Sequence, residues 1–501
     1  MKRLGIIDLG SNSVRLIIMH VDGTNAHHQV ENIKETVRLS SGLDPEGRLN
    51  TEAFQYAADT ISLFVRFCQA RNVDRILAVA TAAVRNAPNG QELIEYIYDK
   101  TGIKIQVLTG EEEAYLGYVG LVNSTPFTDG LMADFGGGSL KLCAFEGRVN
   151  QATMIYEFGV VTIAERFNLK DKPAPSDLKA MEEFLEKQFE RVGRINGQRL
   201  LIGIGGTFRS LARIYRRRRH YLPDITDGIE IPAEDVREIY AMLSQMSHAE
   251  RLEVPGLEPA RADLIVAGTG IILKLMEAIQ AEKVVVSTAS IRDGIFYKYL
   301  LPRDPILFNV LSHHMENLIR YHRLDENHLR RVSNLAVTLF DQLQPIHKMG
   351  SFARRLLLIA GLLHEIGQVI SVESLEKHTL YMLLHTPFIG LTQRERVMTA
   401  FLAACHDEIY LPDFDEYVER GPLLPEDKDI IIKLSPLLQI THSLDRSHTG
   451  VVMQVLTEIK DGVCEISVVS KANADLEIKD ARRRAKAFKD IYGYDLVIKP
   501  Q

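Results

Sequence analysis

Cysteine is scarce in this chain, and where it occurs it excludes two common roles. Cys68, Cys143, Cys405 and Cys464 are the only four, and no two form a C-x-x-C pair. Such spacing argues against a zinc knuckle and against a disulfide framework, leaving reduced thiols in the core as the expectation. Long apolar runs are also missing. The most apolar stretch, Leu356 to Leu363, is far shorter than the roughly 20 residues that cross a bilayer. It runs directly into His364 and Glu365 and reads as a buried helix, so no membrane partner is expected. The first residues, Met1-Lys2-Arg3-Leu4, lack the apolar segment of a secretory leader, and a cytoplasmic location is expected. Positive charge is in deficit. A net charge of −7 gives no overall reason to expect a nucleic-acid partner, so any polyanion must be met by local basic patches. Low-complexity segments are absent.

What is present is an ordinary globular composition, 46% apolar and 25% charged, over 501 residues. That length is too great for one core and predicts roughly three to four domains. Leu4 to Asp8 and Val14 to Val21 are β-prone runs joined by Gly10-Ser11-Asn12-Ser13, which predicts a hairpin. A helix over Thr51 to Arg71, a strand over Arg75 to Ala80, a helix near Gln91 to Lys100 and a strand over Ile103 to Leu108 follow, indicating a mixed α/β sheet. About 125 residues after the first hairpin a second begins at Leu131 and turns through Gly136-Gly137-Gly138-Ser139. Further strands are expected at Leu200 to Ile204, turning through Gly205-Gly206-Thr207 into a helix, and at Lys283 to Ser287. Beyond Leu301-Pro302-Arg303-Asp304-Pro305, whose composition suits a linker, the pattern changes to long helices, and Val451 to Val469 with Leu496-Val497-Ile498 reads as a closing β-containing segment. The expected domains are 1–125 and 126–303, two α/β lobes, then 304–447, helical, and 448–501, a small α+β appendage.

The hairpin turns carry the first chemical signal. Asp8 and Asp134 each end a strand before a glycine- and hydroxyl-rich turn, Gly10-Ser11-Asn12-Ser13 and Gly136-Gly137-Gly138-Ser139. There the backbone N–H groups and hydroxyls can wrap a phosphate while the acid holds a cation or positions water. Either turn alone fits ordinary turn chemistry, whereas two copies in corresponding halves argue for a site. Gly205-Gly206-Thr207 opens a helix, where free amides favour an anion. The helix that follows bears Arg209, Arg213 and the run Arg216 to Arg219. This is either a solvated face or a surface steering a polyanion, with Arg209, Arg213, Arg216 and Arg217 the candidates.

In that order, two phosphate hairpins and a third glycine-rich turn resemble the actin and sugar-kinase superfamily, in which two ribonuclease H-like lobes close on a phosphorylated ligand. Within it, the chain resembles the exopolyphosphatase and guanosine-pentaphosphate phosphohydrolase (Ppx/GppA) family. The motifs are Asp8-Leu9-Gly10-Ser11-Asn12-Ser13-Val14-Arg15-Leu16, Ala80-Thr81-Ala82-Ala83-Val84-Arg85-Asn86-Ala87, Thr109-Gly110-Glu111-Glu112-Glu113-Ala114, Asp134 to Ser139, Gly205-Gly206-Thr207 and Arg292-Asp293-Gly294. The resemblance implies removal of a terminal phosphate from polyphosphate or guanosine pentaphosphate, with Glu113 activating water, Arg15 or Arg85 stabilising charge, and Mg²⁺ or another divalent cation on Asp8 and Asp134. It also implies a homodimer. Residue chemistry selects the same glutamate, because Thr109 and Glu112 fit a capping box and leave Glu113 for other work. One departure stands out: Leu140-Lys141 replaces the family's Thr-Glu after the second turn. Lys141 either pairs with phosphate in place of a cation or points away on the other face of its strand.

In the helical region, His328 lies on the apolar face of a helix over Asp325 to Leu343. With His364, Glu365 and Asp445 it resembles the H…HD…D ligand set of HD metal phosphohydrolases, Glu365 replacing the usual Asp. The alternative is a vestigial or structural cluster, with His378 and His406 as further inward candidates. Three functions remain open on these residues: hydrolysis in the N-terminal cleft, hydrolysis at the HD-like cluster, and a polyphosphate or guanosine-nucleotide sensor without turnover.

Overall fold

The computed structural model describes every residue except 40, 41, 45, 193–198 and 387–388. In its first 107 residues, continuous apolar runs form strands covered on both faces. β1 (Lys2–Leu9) buries Leu4, Ile6, Ile7 and Leu9, and β2 (Val14–Val21) buries Val14, Leu16, Ile17 and Ile18, as expected for strands inside a sheet. β3 (His27–Glu35) is polar and mostly part-exposed, an edge strand that its sequence conceals. β4 (Arg75–Ala80) and β5 (Ile105–Val107) add in parallel on the other side of β1, giving the order β3-β2-β1-β4-β5. Helices Thr51–Ala70 and Gly90–Thr101 supply the crossovers that parallel neighbours need.

The second sheet repeats this plan. β6 (Gly130–Phe135), β7 (Leu140–Glu146) and β8 (Val149–Tyr156) form the antiparallel meander, and β9 (Leu201–Ile204) and β11 (Lys283–Val286) pair in parallel beyond β6. β10 (Ile229–Pro232) is an extra antiparallel edge, so the order is β10-β11-β9-β6-β7-β8. Both sheets belong to one compact unit, Met1–Val310, and the second unit is Leu311–Gln501.

The second unit is largely helical. Helices Glu326–Gln342, Ser351–Leu363, Gln393–Ala404 and Asp427–Ser443 bury Leu329, Leu357, Phe401 and Leu437 against one another. A three-stranded sheet of β12 (Val452–Lys460), β13 (Val463–Ser470) and β14 (Asp495–Pro500) completes it. Val452, Val455, Ile466 and Ile498 enter the same core as the helices. Residues 448–501, expected as an appendage, therefore pack as part of this unit. All four cysteines are buried and free, and no helix among the described residues is long and apolar enough to cross a membrane.

Candidate active site

The two hairpins superimpose residue for residue in pattern. Asp8-Leu9-Gly10-Ser11-Asn12-Ser13-Val14-Arg15 and Asp134-Phe135-Gly136-Gly137-Gly138-Ser139-Leu140-Lys141 differ by a constant offset. Each turn closes with the same backbone bond, Gly10 N–H to Ser13 O at 3.1 Å and Gly136 N–H to Ser139 O at 2.9 Å. In each ladder the acid stands directly across from a cation, Asp8 opposite Arg15 and Asp134 opposite Lys141. Directly opposed residues of an antiparallel pair share a face of the sheet. This decides the orientation of Lys141: alternation sends Leu140 into the core and Lys141 to the side of Asp134.

Lys141 is almost fully buried, and its ammonium donates to Glu113 Oε1 at 2.5 Å and to Ser139 Oγ at 3.1 Å. Glu113 is held from the other side by Arg85, whose Nη1 donates to Oε2 at 3.3 Å and to Leu108 O at 2.6 Å. The helix carrying Glu113, Gly110–Val122, starts at a complete capping box in which the Thr109 hydroxyl accepts from Glu112 N–H and the Glu112 carboxylate accepts from Thr109 N–H. Glu112 is thereby occupied, while Glu113 turns inward to 9% exposure.

Asp8, Gly10, Ser11, Asn12, Ser13 and Arg15 line the same cleft as Glu113, Asp134, Gly136, Gly137, Ser139 and Gly205. Gly138 lies exposed at the tip of its turn. Gly205 is a position where only glycine is comfortable: its φ is +99°, and a Cβ there would sit 3.2 Å from Asp134 Oδ1. Two residues of the third turn do other work. Thr207 is buried against Gly268, and a Cβ on Gly206 would occupy the place of the Arg261 guanidinium. Gly206 thus makes room for an arginine.

Of the four arginines expected to steer a polyanion, only Arg209 lines the cleft. The others lie four, seven and eight positions further on in the helix Gly206–Arg219, and a rise of about 1.5 Å per residue carries them roughly 6 to 12 Å along the axis, away from its cleft end. Arg213 pairs with Glu258 at 3.1 Å and donates to Gly256 O at 3.1 Å, Arg216 pairs with Asp224, and Arg217 lies beside Arg218 and Met242 in a separate surface depression. Two arginines that no steering argument selected take their place. Arg292 donates from Nη1 to Asp8 Oδ2 at 3.1 Å, and Arg261 reaches the cleft from a short turn at Pro259–Arg261. Arg292 stands in a quoted motif and was within reach of sequence reasoning, while Arg261 has no local signature.

Burial dominates the electrostatics. It pushes the Asp134 carboxyl up to about 6, against the pull of Lys141, and raises Asp8 against the pull of Arg292. Burial, with other guanidiniums adding to it, also lowers Arg209 to about 9 and Arg15 to about 10. Arg15, Arg209, Arg261 and Arg292 crowd one wall with more positive charge than their neighbours neutralise, which is the condition an anionic ligand relieves.

Comparison with known proteins identifies the family. The model of the Ppx/GppA phosphatase family matches residues 16–303, and that of its domain III matches residues 311–478. The chain belongs to the Ppx/GppA phosphatase family. It is similar to an exopolyphosphatase from Cytophaga hutchinsonii, with 26% identity and a TM-score of 0.57 over 60% of this chain and 98% of that one. A Ppx/GppA family member from Aquifex aeolicus matches at 26% identity and a TM-score of 0.55, over 60% of this chain and 99% of that one. The fold is accordingly two actin-like α/β lobes followed by a helical region with a small sheet, and the chemistry is that of a phosphatase.

In the Ppx/GppA domain III region, His328, His364 and Glu365 come together as the sequence pattern suggested, but the fourth member is His442. Asp445 stands behind the group: its carboxylate accepts from His328 Nδ1 at 2.9 Å, from Gly450 N–H at 2.9 Å and from Arg331 Nη1 at 3.3 Å. His406 is buried, and its ring lies 5.5 Å from that of His364. His378 is only partly buried.

Proposed function

We propose that the cleft hydrolyses the terminal phosphoanhydride bond of a linear polyphosphate, with Glu113 as the general base. The observation that carries this reading is a nearly buried carboxylate that lines one cleft together with two glycine-rich hairpin turns and four arginines. The amides of Gly10 to Ser13 and Gly136 to Ser139 receive phosphoryl oxygens, and Arg15, Arg209, Arg261 and Arg292 receive the chain. Glu113 takes a proton from water as the water oxygen bonds to the terminal phosphorus. The bridging P–O bond breaks, and its electrons remain on the shortened chain as phosphate leaves. Lys141 and Arg85 hold the base in place and place positive charge beside the reacting group.

Asp8 and Asp134 fit a divalent cation. Burial lifts both from the usual carboxylate range, and neither is neutralised as closely as Glu113 is by Lys141. Such an ion, Mg²⁺ by the hard oxygen donors, would supply charge to the phosphoryl oxygens. Lys141 lies where the family's glutamate would otherwise add a carboxylate, so this chain needs less of that charge.

The lining favours phosphates over a nucleobase. Among the described lining residues Phe135 is the only aromatic one, and its ring packs on Phe208 with centroids 4.7 Å apart. Guanosine pentaphosphate is thus the second substrate, engaged through its phosphates. Side-by-side assays of phosphate release from long-chain polyphosphate and guanosine pentaphosphate, in Mg²⁺ and in EDTA, test this. Faster release from polyphosphate is expected, and a folded protein that binds either compound yet releases nothing would be a sensor instead.

A further inference from the structure

The domain III region holds a second constellation that the cleft chemistry does not use. His328 comes from the helix Glu326–Gln342, His364 and Glu365 from the end of Ser351–Leu363, and His442 from the last turn of Asp427–Ser443. One donor atom of each lies within 4.8 Å of the others, and all four residues are buried. Four polar side chains gathered in the interior require a reason, since unpaired buried polar groups are costly.

Their hydrogen bonds show where each lone pair is left. His328 Nδ1 is 2.9 Å from Asp445 Oδ2, so it carries the proton and the opposite nitrogen presents a lone pair. That nitrogen, Nε2, is fully buried and has no hydrogen-bond partner. Glu365 Oε1 lies 3.7 Å from it. His364 repeats the arrangement: Nδ1 donates to Gly361 O at 2.9 Å, and Nε2 faces His442 Nδ1 at 3.1 Å. A carboxylate or carbonyl behind each imidazole fixes its tautomer in the way that metal-ligating histidines are fixed. Asp445 is spent on this supporting role, its oxygens taken by His328, Arg331 and Gly450.

We infer that His328, His364, His442 and Glu365 form a structural site for a nitrogen-preferring divalent cation of the Zn²⁺ class, with Asp445 as the positioning residue behind His328. Three imidazoles and one carboxylate match the ligand types and number of a closed four-coordinate zinc site, and are too rich in nitrogen for Mg²⁺. The ion replaces the hydrogen bond between His364 and His442 and gives the orphaned His328 Nε2 its partner. Arg446, which reaches His442 Nε2 at 3.3 Å, is exposed and turns to solvent as that nitrogen takes the proton. His448 stacks flat on His328, ring centroids 3.6 Å apart, and closes the site from the outside. With four protein ligands from three helices the ion ties those helices together, independently of hydrolysis in the cleft.

The test uses the full chain, stripped with a chelator, reloaded with Zn²⁺ in excess Mg²⁺ and desalted. About one zinc per chain should remain by mass spectrometry, and the melting temperature should rise on reloading. His364→Asn and His442→Gln should lose the bound zinc, whereas Asp8→Asn with Asp134→Asn should keep it. Asp445→Asn should weaken zinc roughly 10- to 100-fold in a chelator competition while the circular dichroism stays unchanged. Should the histidine variants fail to fold, Co²⁺ loaded into the wild type reads the site directly through the visible absorption of four-coordinate cobalt. No retained zinc and no such absorption in the folded wild type, or equal zinc retention by a folded His442→Gln, would overturn the inference.

Discussion

At the scale of single residues, Lys141 and Asp134 distinguish this cleft. Facing each other across β6 and β7, they repeat the opposition of Asp8 and Arg15 in the first hairpin. The buried ammonium touches Glu113, so Lys141→Gln should lower turnover on the order of 100-fold, the usual cost of a charged donor at a reacting group. The same variant should need more Mg²⁺ for half-maximal rate; an unchanged Mg²⁺ requirement would separate Lys141 from the cation's work. Asp134 makes a prediction about stability. Its carboxyl is raised from 3.8 to about 6 by burial, so the folded protein holds that proton more tightly than the unfolded chain does. The stability this contributes is complete below about 3.8 and is lost as pH rises through about 6. Asp134→Asn, inactive in hydrolysis, should therefore resist denaturant better than the wild type above pH 6 in EDTA. The gain has a ceiling of about 3 kcal/mol, because the carboxylate still meets cleft solvent, and should vanish near pH 4. Denaturant titrations at the two pH values measure it.

At the scale of elements, the position of Glu113 depends on how closely two helices approach. Gly110–Val122 and Ile291–Leu300 touch backbone to backbone: a Cβ on Gly294 would lie 1.9 Å from Leu116 O, and one on Gly120 would lie 2.4 Å from Ser290 O. The first helix carries Glu113 and the second Arg292, so this contact helps to set the distance between these two cleft residues. Gly294→Ala should destabilise the protein by about 1–3 kcal/mol, the range for overpacking, and depress phosphate release beyond what the loss of folded protein explains. Thr109→Ala should cost about 1 kcal/mol through the lost cap and loosen Glu113 as well, which a melting curve and a rate together would show. The sequence made the capping box legible because Thr109 and Glu112 are local partners. It did not reveal that Arg-Asp-Gly at 292–294 combines a cleft arginine, the helix-capping Asp293 and the close-approach Gly294, since the last role exists only against Leu116 far along the chain.

At the scale of the whole molecule, two rules of pattern made the architecture readable. Continuous apolar runs marked the inner strands, and the repeated acid-turn-strand unit marked two equivalent halves. The edge strand β3 escaped because its sequence is largely polar on both faces, β8 because only Ala152, Met154 and Tyr156 mark its inner face, and β10 because it is four residues long. Site residues divide in the same way. Asp8, Glu113 and Asp134 lie in local motifs and meet in the cleft, whereas Arg261 is brought there by tertiary packing over Gly206 and carries no mark in its own segment. Of the two readings open for the run Arg216 to Arg219, the solvated face fits better, because Arg216, Arg218 and Arg219 pair with Asp224, Glu238 and Asp235 away from the cleft. His442 was missed in favour of Asp445 because sequence alone does not say which polar residue of a closing helix turn faces inward.

Whether Glu113 in the N-terminal cleft activates the attacking water is decided by the single-turnover rate of phosphate release from bound polyphosphate in the wild type, Glu113→Gln and His364→Asn. Glu113→Gln should fall by about 100- to 10,000-fold with polyphosphate affinity retained, and His364→Asn should keep the wild-type rate per folded molecule. A Glu113→Gln protein that turns over like the wild type, beside an inactive but folded His364→Asn, would contradict that role and move the hydrolysis to the histidine cluster.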